Sequence, residues 1–170
     1  MHPVLKPTLI GAALLMSAPV TATPLLLEVE IPRLDTAEYH RPYVAVWLES
    51  ADRKTIKDIA LWYQQDKANE GRKWLKDLRQ WWRLSGRSQE VPAEGVSGAT
   101  RPVGVHEVKV PESVLADLPA GDYSVVVEAS REKGGRELVR LPLAWPADAK
   151  LAADAQGTTE LGKVSLRAQP

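Results

Sequence analysis

The sequence contains no cysteine. That absence excludes disulfide staples, thiolate metal sites and a cysteine nucleophile, so the core must hold by packing alone. Phenylalanine is missing too, and there are only three histidines. No charge of one sign dominates, since 22 basic residues face 22 acidic ones. A near-neutral chain has no bulk field with which to gather nucleic acid or an anionic membrane surface. The apolar stretch at Leu9–Met16 is far shorter than the roughly 20 residues a permanent bilayer span needs.

That stretch reads instead as the centre of a signal peptide. Lys6 precedes it, and Val20-Thr21-Ala22 supplies the small residues a signal peptidase reads. Cleavage is expected after Ala22. No cysteine follows to take a lipid anchor. The expected mature chain, residues 23–170, is a single periplasmic domain with no membrane insertion. Losing Lys6 leaves its net charge at −1.

The aromatic surface that is present comes from six Trp and four Tyr, and five of the six Trp lie between positions 47 and 82. Leu25–Ile31, Tyr43–Leu48, Ile56–Tyr63, Val103–Val110, Tyr123–Ala129, Arg136–Trp145 and Thr159–Arg167 read as strands. Every residue of Tyr43–Leu48 is apolar, which predicts burial on both faces. Trp74, Leu75, Leu78, Trp81 and Trp82 fall on one face of a helix over about 73–84. About seven strands joined mostly by turns, with one short inserted helix, predict a mostly-β fold, an antiparallel immunoglobulin-like sandwich. Strand and helix do not alternate, which disfavours a Rossmann-type sheet. The charged string Arg131–Glu137 reads as a solvated hairpin tip. His40 and His106 read as surface or hydrogen-bonded histidines, with a shared metal the less favoured reading.

The string with most chemical content is Glu94-Gly95-Val96-Ser97-Gly98-Ala99-Thr100. It resembles the acceptor motif of the periplasmic FMN transferase (ApbE-type): Asp, two residues, Ser or Thr, Gly, Ala, Thr. Ser97, Gly98, Ala99 and Thr100 match the core of the motif, and Glu94 stands where an Asp is usual. The resemblance implies FMN attached covalently to the Thr100 hydroxyl through a phosphoester. A threonine hydroxyl is a poor nucleophile and needs another enzyme's base and metal, so the segment must be an accessible loop. Arg101 is the adjacent phosphate partner, with Arg79 and Arg83 as further candidates. Read by residue type alone, Ser97–Thr100 is equally a turn before a strand.

Tyr39–Glu49, Ala60-Leu61-Trp62, Trp74–Arg79, Trp81-Trp82-Arg83, Val96–Pro102 and Val127–Glu132 with Gly134-Gly135 look like a family of predicted periplasmic bacterial proteins, the domain of unknown function DUF2271. Its members are often encoded beside the FMN transferase and beside membrane reductases of PepSY type. The resemblance thus implies a non-enzymatic electron carrier supplied by such a reductase. Trp62, Trp74, Trp81 and Trp82 are candidates to line a flavin slot, with Trp81 and Trp82, about a third of a turn apart, expected to place one ring inward and the other nearer the loop, although tryptophans at helical spacing more often pack a core. Two other readings stay open: a binding module without flavin, and a hydrolase, for which no triad or paired-carboxylate spacing is legible.

Overall fold

The structure, a computed structural model, describes residues 23–66 and 69–169. The expected signal peptide lies outside the described residues. Nine strands form two sheets: β1 Leu25–Ile31, β2 Tyr43–Ser50, β3 Ile56–Tyr63, β4 Ser97–Ala99, β5 Gly104–Lys109, β6 Gly121–Ser130, β7 Arg136–Trp145, β8 Ala152–Gln156 and β9 Lys163–Ala168. One sheet has the order β5-β1-β9-β8, the other β4-β3-β2-β6-β7. All pairings are antiparallel except β3 with β4. The protein is a β-sandwich of the two-sheet, antiparallel kind that the sequence predicts.

The core follows from residue alternation. Leu25, Leu27, Val29 and Ile31 of β1 meet Val44, Val46 and Leu48 of β2 and Val125 and Val127 of β6 between the sheets, as a period of two requires. The other face of β2 is buried as well. Tyr43, Ala45 and Trp47 pack under a helical layer through Leu75, Leu78 and Trp81. A bulge between β2 and β3 pairs Val46 with Ala60 but Trp47 with Asp58. Ile59 and Ala60 therefore both enter the inter-sheet core, while Asp58 turns toward the helical layer.

That layer is not the single helix over 73–84 that the periodicity predicts. A one-turn helix α1, Asn69–Arg72, leads to a 3-10 turn at Leu75–Asp77, and α2, Arg79–Leu84, follows. Leu78 breaks the two apart with ψ at 71°. The Glu128 carboxylate of β6 accepts hydrogen bonds from the backbone N–H of Gln80 (3.1 Å) and Trp81 (2.8 Å), so α2 starts where the sheet caps it. Trp74 consequently leaves the apolar face and is 53% exposed. A further short helix, α3, spans Glu112–Leu115.

The 131–137 tip is a tertiary anchor and not merely a solvated turn. Arg131 pairs with Glu160, both side chains being buried, and Arg136 reaches Glu128 at 2.8 Å. Glu137 accepts the backbone N–H groups of Thr158, Thr159, Glu160 and Leu161. Those amides are taken from any ladder, which explains why β9 begins at Lys163 and not at Thr159 as expected. Partial burial of Glu137 opposes its charge, but the four N–H groups outweigh that and pull its carboxyl down to about 2. The folded state thus binds the proton later than the unfolded chain. The contribution is complete above the unfolded value near 4.5 and is lost as pH falls toward 2. Urea titrations between pH 6 and 2.5 should show a loss of about 2 kcal/mol assignable to this group, after allowance for solvent screening. Glu137→Gln should flatten that part of the profile; an unchanged slope would refute the assignment.

Candidate functional site

The acceptor-like string is reached through a tight turn. Gly95 adopts φ +71° with open space around its Cβ position, a left-handed conformation that favours glycine. The turn is closed by Ser97 N–H to Ala93 O (2.9 Å) and by Ala93 N–H to Ser97 Oγ (2.9 Å). Ser97, Gly98 and Ala99 then pair in parallel with Leu61, Trp62 and Tyr63. The expected loop is therefore a short strand, β4, on the edge of the five-stranded sheet. Thr100 leaves that edge half-buried. Among the described residues its hydroxyl has no hydrogen-bond partner. Glu94 is exposed.

Arg101 folds back over the face of Trp62, with its guanidinium carbon 5.4 Å from the ring centroid. A Cβ on Gly98 would meet both Trp62 and Arg101 at ordinary contact distance. The edge of Trp62 meets His106 at a 5.9 Å centroid separation, and His106 Nε2 lies 2.7 Å from Pro102 O. Arg101 makes no carboxylate pair among the described residues. Its N–H donors make no hydrogen bond among the described residues while the cation–π contact holds the side chain over Trp62, near Gly98.

The four candidate ring-lining tryptophans do not converge. Trp62 belongs to the inter-sheet core and Trp81 to the cluster on the opposite face of the same sheet. Trp81 is 1% exposed, and its indole N–H donates to Asp58 (3.1 Å). It has no free face and acts as core. Burial pushes the Asp58 carboxyl up, against the bonds it accepts from Ser85, Trp81 and Gln89. Trp82 is half-buried and leans on Trp81. It lines a shallow basic groove with Lys76, Arg79, Arg83 and Arg136. Arg136 lies on β7, the sheet edge opposite β4, so Arg79 and Arg83 gather away from Thr100.

A second concavity lies at the end of the sheet where β4 stops. It is a cleft of about 190 Å³ lined by His40, Tyr43, Gln64, Trp74, Arg131 and Lys133, among others. Gly71 brings the Trp74 arm close to the sheet, since a Cβ there would stand 1.9 Å from Gln64 O. Tyr43 Oη secures the arm by donating to Gly71 O at 2.9 Å. Burial raises the Tyr43 phenol pKa against the Gln64 backbone hydrogen bond. Arg131 Nε and Nη2 bind the two oxygens of Glu160 at 2.7 and 3.2 Å. Its Nη1 is buried with no partner, as is the Tyr39 hydroxyl, whose ring lies under the guanidinium at 6.0 Å. Two buried polar atoms without partners on neighbouring side chains are unusual in a packed protein.

A family model described as a predicted periplasmic protein, DUF2271, matches residues 25–163. The chain belongs to this family. The match runs from β1 to the first residue of β9 and so spans the five-stranded sheet and the helical layer. The chain is periplasmic, as the family is described. Comparison with curated proteins and with solved structures returns no match. Among the described residues of this DUF2271 protein, no helix is long and apolar enough to cross a membrane. No three His, Cys, Asp or Glu side chains among them gather where they could hold a metal ion.

Sequence reasoning missed the His40–Trp74–Arg131 cleft of this DUF2271 chain. His40 lies in a segment without regular structure, and Arg131 sits inside a charge-rich tip that reads as solvated. The residues of the cleft are spread over more than ninety positions. Only the odd exposure of Trp74, which the helical pattern concealed, would have pointed there.

Proposed function

We propose that this DUF2271 protein carries FMN covalently on Thr100 and relays electrons in the periplasm without being an enzyme itself. The observation that carries the reading is the placement of the acceptor string on an open sheet edge, with the Thr100 hydroxyl unpaired. An incoming active site can reach that oxygen without breaking a native bond. In the attachment step the FMN transferase joins Thr100 Oγ1 to the FMN phosphorus of FAD. The pyrophosphate P–O bond breaks, AMP leaves, and the hydroxyl proton passes to the base of the transferase.

The residues beside Thr100 fit the resulting phosphodiester. Arg101, next in the chain and stacked on Trp62, has a guanidinium without a carboxylate partner among the described residues, and a charge-assisted bond to a phosphoryl oxygen suits that group. Gly98 keeps the backbone uncrowded, and Ser97 holds the preceding turn. Glu94 stands at the exposed start of the turn as part of the string the transferase reads. Once bound, FMN supplies reversible electron storage, and a membrane reductase of PepSY type is the proposed donor. Purification from the periplasm, followed by denaturation, tests the reading. Yellow colour that stays with the unfolded chain, and an intact mass raised by one FMN less one water, are the expected results. A colourless chain of unmodified mass, after co-expression with the transferase, would overturn it.

A further inference from the structure

We propose that the cleft between Gln64, Trp74 and the Arg131 tip is a binding site for a flat heteroaromatic ring with carbonyl or anionic edge groups, and that it seats the isoalloxazine of the flavin. The identity of the ring rests on the Thr100 reading; the site itself rests on its own geometry.

Three observations converge on it. Arg131 is 8% exposed and is clamped by Glu160 through two of its nitrogens, which leaves Nη1 as a fixed, buried donor with nothing to donate to. A ligand acceptor that displaced the cover from Nη1 would remove a desolvation cost the free protein bears. Trp74, in contrast, presents an indole face to solvent beside a chain of otherwise buried aromatics, and an exposed indole lining a cleft is a stacking surface. Finally, the space is below the usual range of an enclosed drug-sized pocket, so it suits one ring system with the rest of the ligand outside.

The sheet register brings this site to the acceptor residue. β4 pairs Ala99 with Tyr63, so Thr100 and Gln64, the next residues of each chain segment, leave the sheet at the same end. Gln64 lines the cleft. The rival basic groove at Trp82 includes Arg136 on β7, one strand beyond the β6 end that carries Arg131.

Riboflavin, which lacks the phosphate and cannot be attached, is the probe. Added to the mature Thr100→Val chain, it should lose fluorescence saturably. Trp74→Leu should weaken that binding about tenfold. Arg131→Lys, which keeps a cation for Glu160 but removes Nη1, should do the same, and Trp82→Leu should change nothing. No saturable quench, or one that follows Trp82 and ignores Trp74 and Arg131, would overturn the site. The mass of the unmutated chain reads the tether separately. Riboflavin binding without a mass gain rejects the tether and keeps the cleft, and a mass gain without riboflavin binding does the reverse.

Discussion

Replacing Thr100 with valine is expected to give a protein as stable as the parent that gains no flavin mass when co-expressed with the transferase. Valine keeps the β-branched shape and removes one oxygen. That oxygen makes no hydrogen bond among the described residues, so nothing in the fold is lost with it. The change in unfolding free energy should stay within about 0.5 kcal/mol, as for a surface substitution without partners, while attachment falls from complete to none. The pairing of a silent stability readout with an all-or-none chemical one is what separates a modification site from a structural residue. Ser97→Ala makes the opposite case. Its hydroxyl accepts the Ala93 N–H that closes the turn, so its loss costs about 1 kcal/mol and slows attachment without abolishing it. A Thr100→Val chain that still gains the mass of FMN would move the attachment elsewhere and remove the basis of the electron-carrier reading.

Much of the sandwich was legible because its strands obey the simple period of two. The limits of β1, β3 and β7 coincide with the apolar runs and their flanking turns. The uninterrupted apolar run of β2 announced that both faces would be covered. Two strands escaped for definable reasons. β8 reads Ala-Ala-Asp-Ala-Gln, residues of poor strand preference that pair only because β9 offers an edge. β4 consists of Ser, Gly and Ala, a composition that signals a turn; its pairing is set by β3, whose other neighbour is β2. The helical layer failed in a different way. Its period was right for Leu75, Leu78 and Trp81, but the start of α2 after Leu78 is capped by a carboxylate 48 residues from Gln80, which no local pattern contains.

The site was legible only in its linear part. Ser97–Thr100 and the adjacent Arg101 could be read as a string, and the structure brings Arg101 beside the same edge. Tryptophan spacing misdirected the search for the ring site. Trp81 fits the helical stripe because it is core, and Trp82 follows it onto the far side of the layer. Trp74 looked equally like core, yet the broken helix turns it outward. Arg131 could not be separated by sequence from Lys133 and Arg136, because what distinguishes it is the clamp from Glu160. A string records what an external enzyme must recognise; a cleft records what the fold assembles. Only the first has to be contiguous.

The helical layer that carries Trp74 should detach when Glu128 is replaced by alanine. Glu128 is 0% exposed and binds three donors: the Gln80 and Trp81 backbone N–H groups and Arg136 Nη1. It therefore joins α2 to β6 and β7 at once, with its negative charge at the start of a helix, where the backbone dipoles favour it. Removing it leaves two amides short of an acceptor under a packed layer and unpairs the part-exposed Arg136. Loss of the two amide bonds to a buried carboxylate costs about 3 kcal/mol, visible as a lower urea midpoint. Glu128→Gln keeps the shape but turns an amide NH2 toward donors, and should cost about 1–2 kcal/mol. Two outcomes separate loss of the cap from general loosening. The dependence on urea should become shallower in Glu128→Ala, because Leu75, Leu78 and Trp81 are partly exposed before global unfolding. Riboflavin binding should weaken as well, although Glu128 does not line the Trp74 cleft, since the arm that holds Trp74 is continuous with α2. A Glu128→Ala chain with an unchanged midpoint would mean that the apolar contacts of those three residues, with Tyr43 on Gly71, hold the layer unaided.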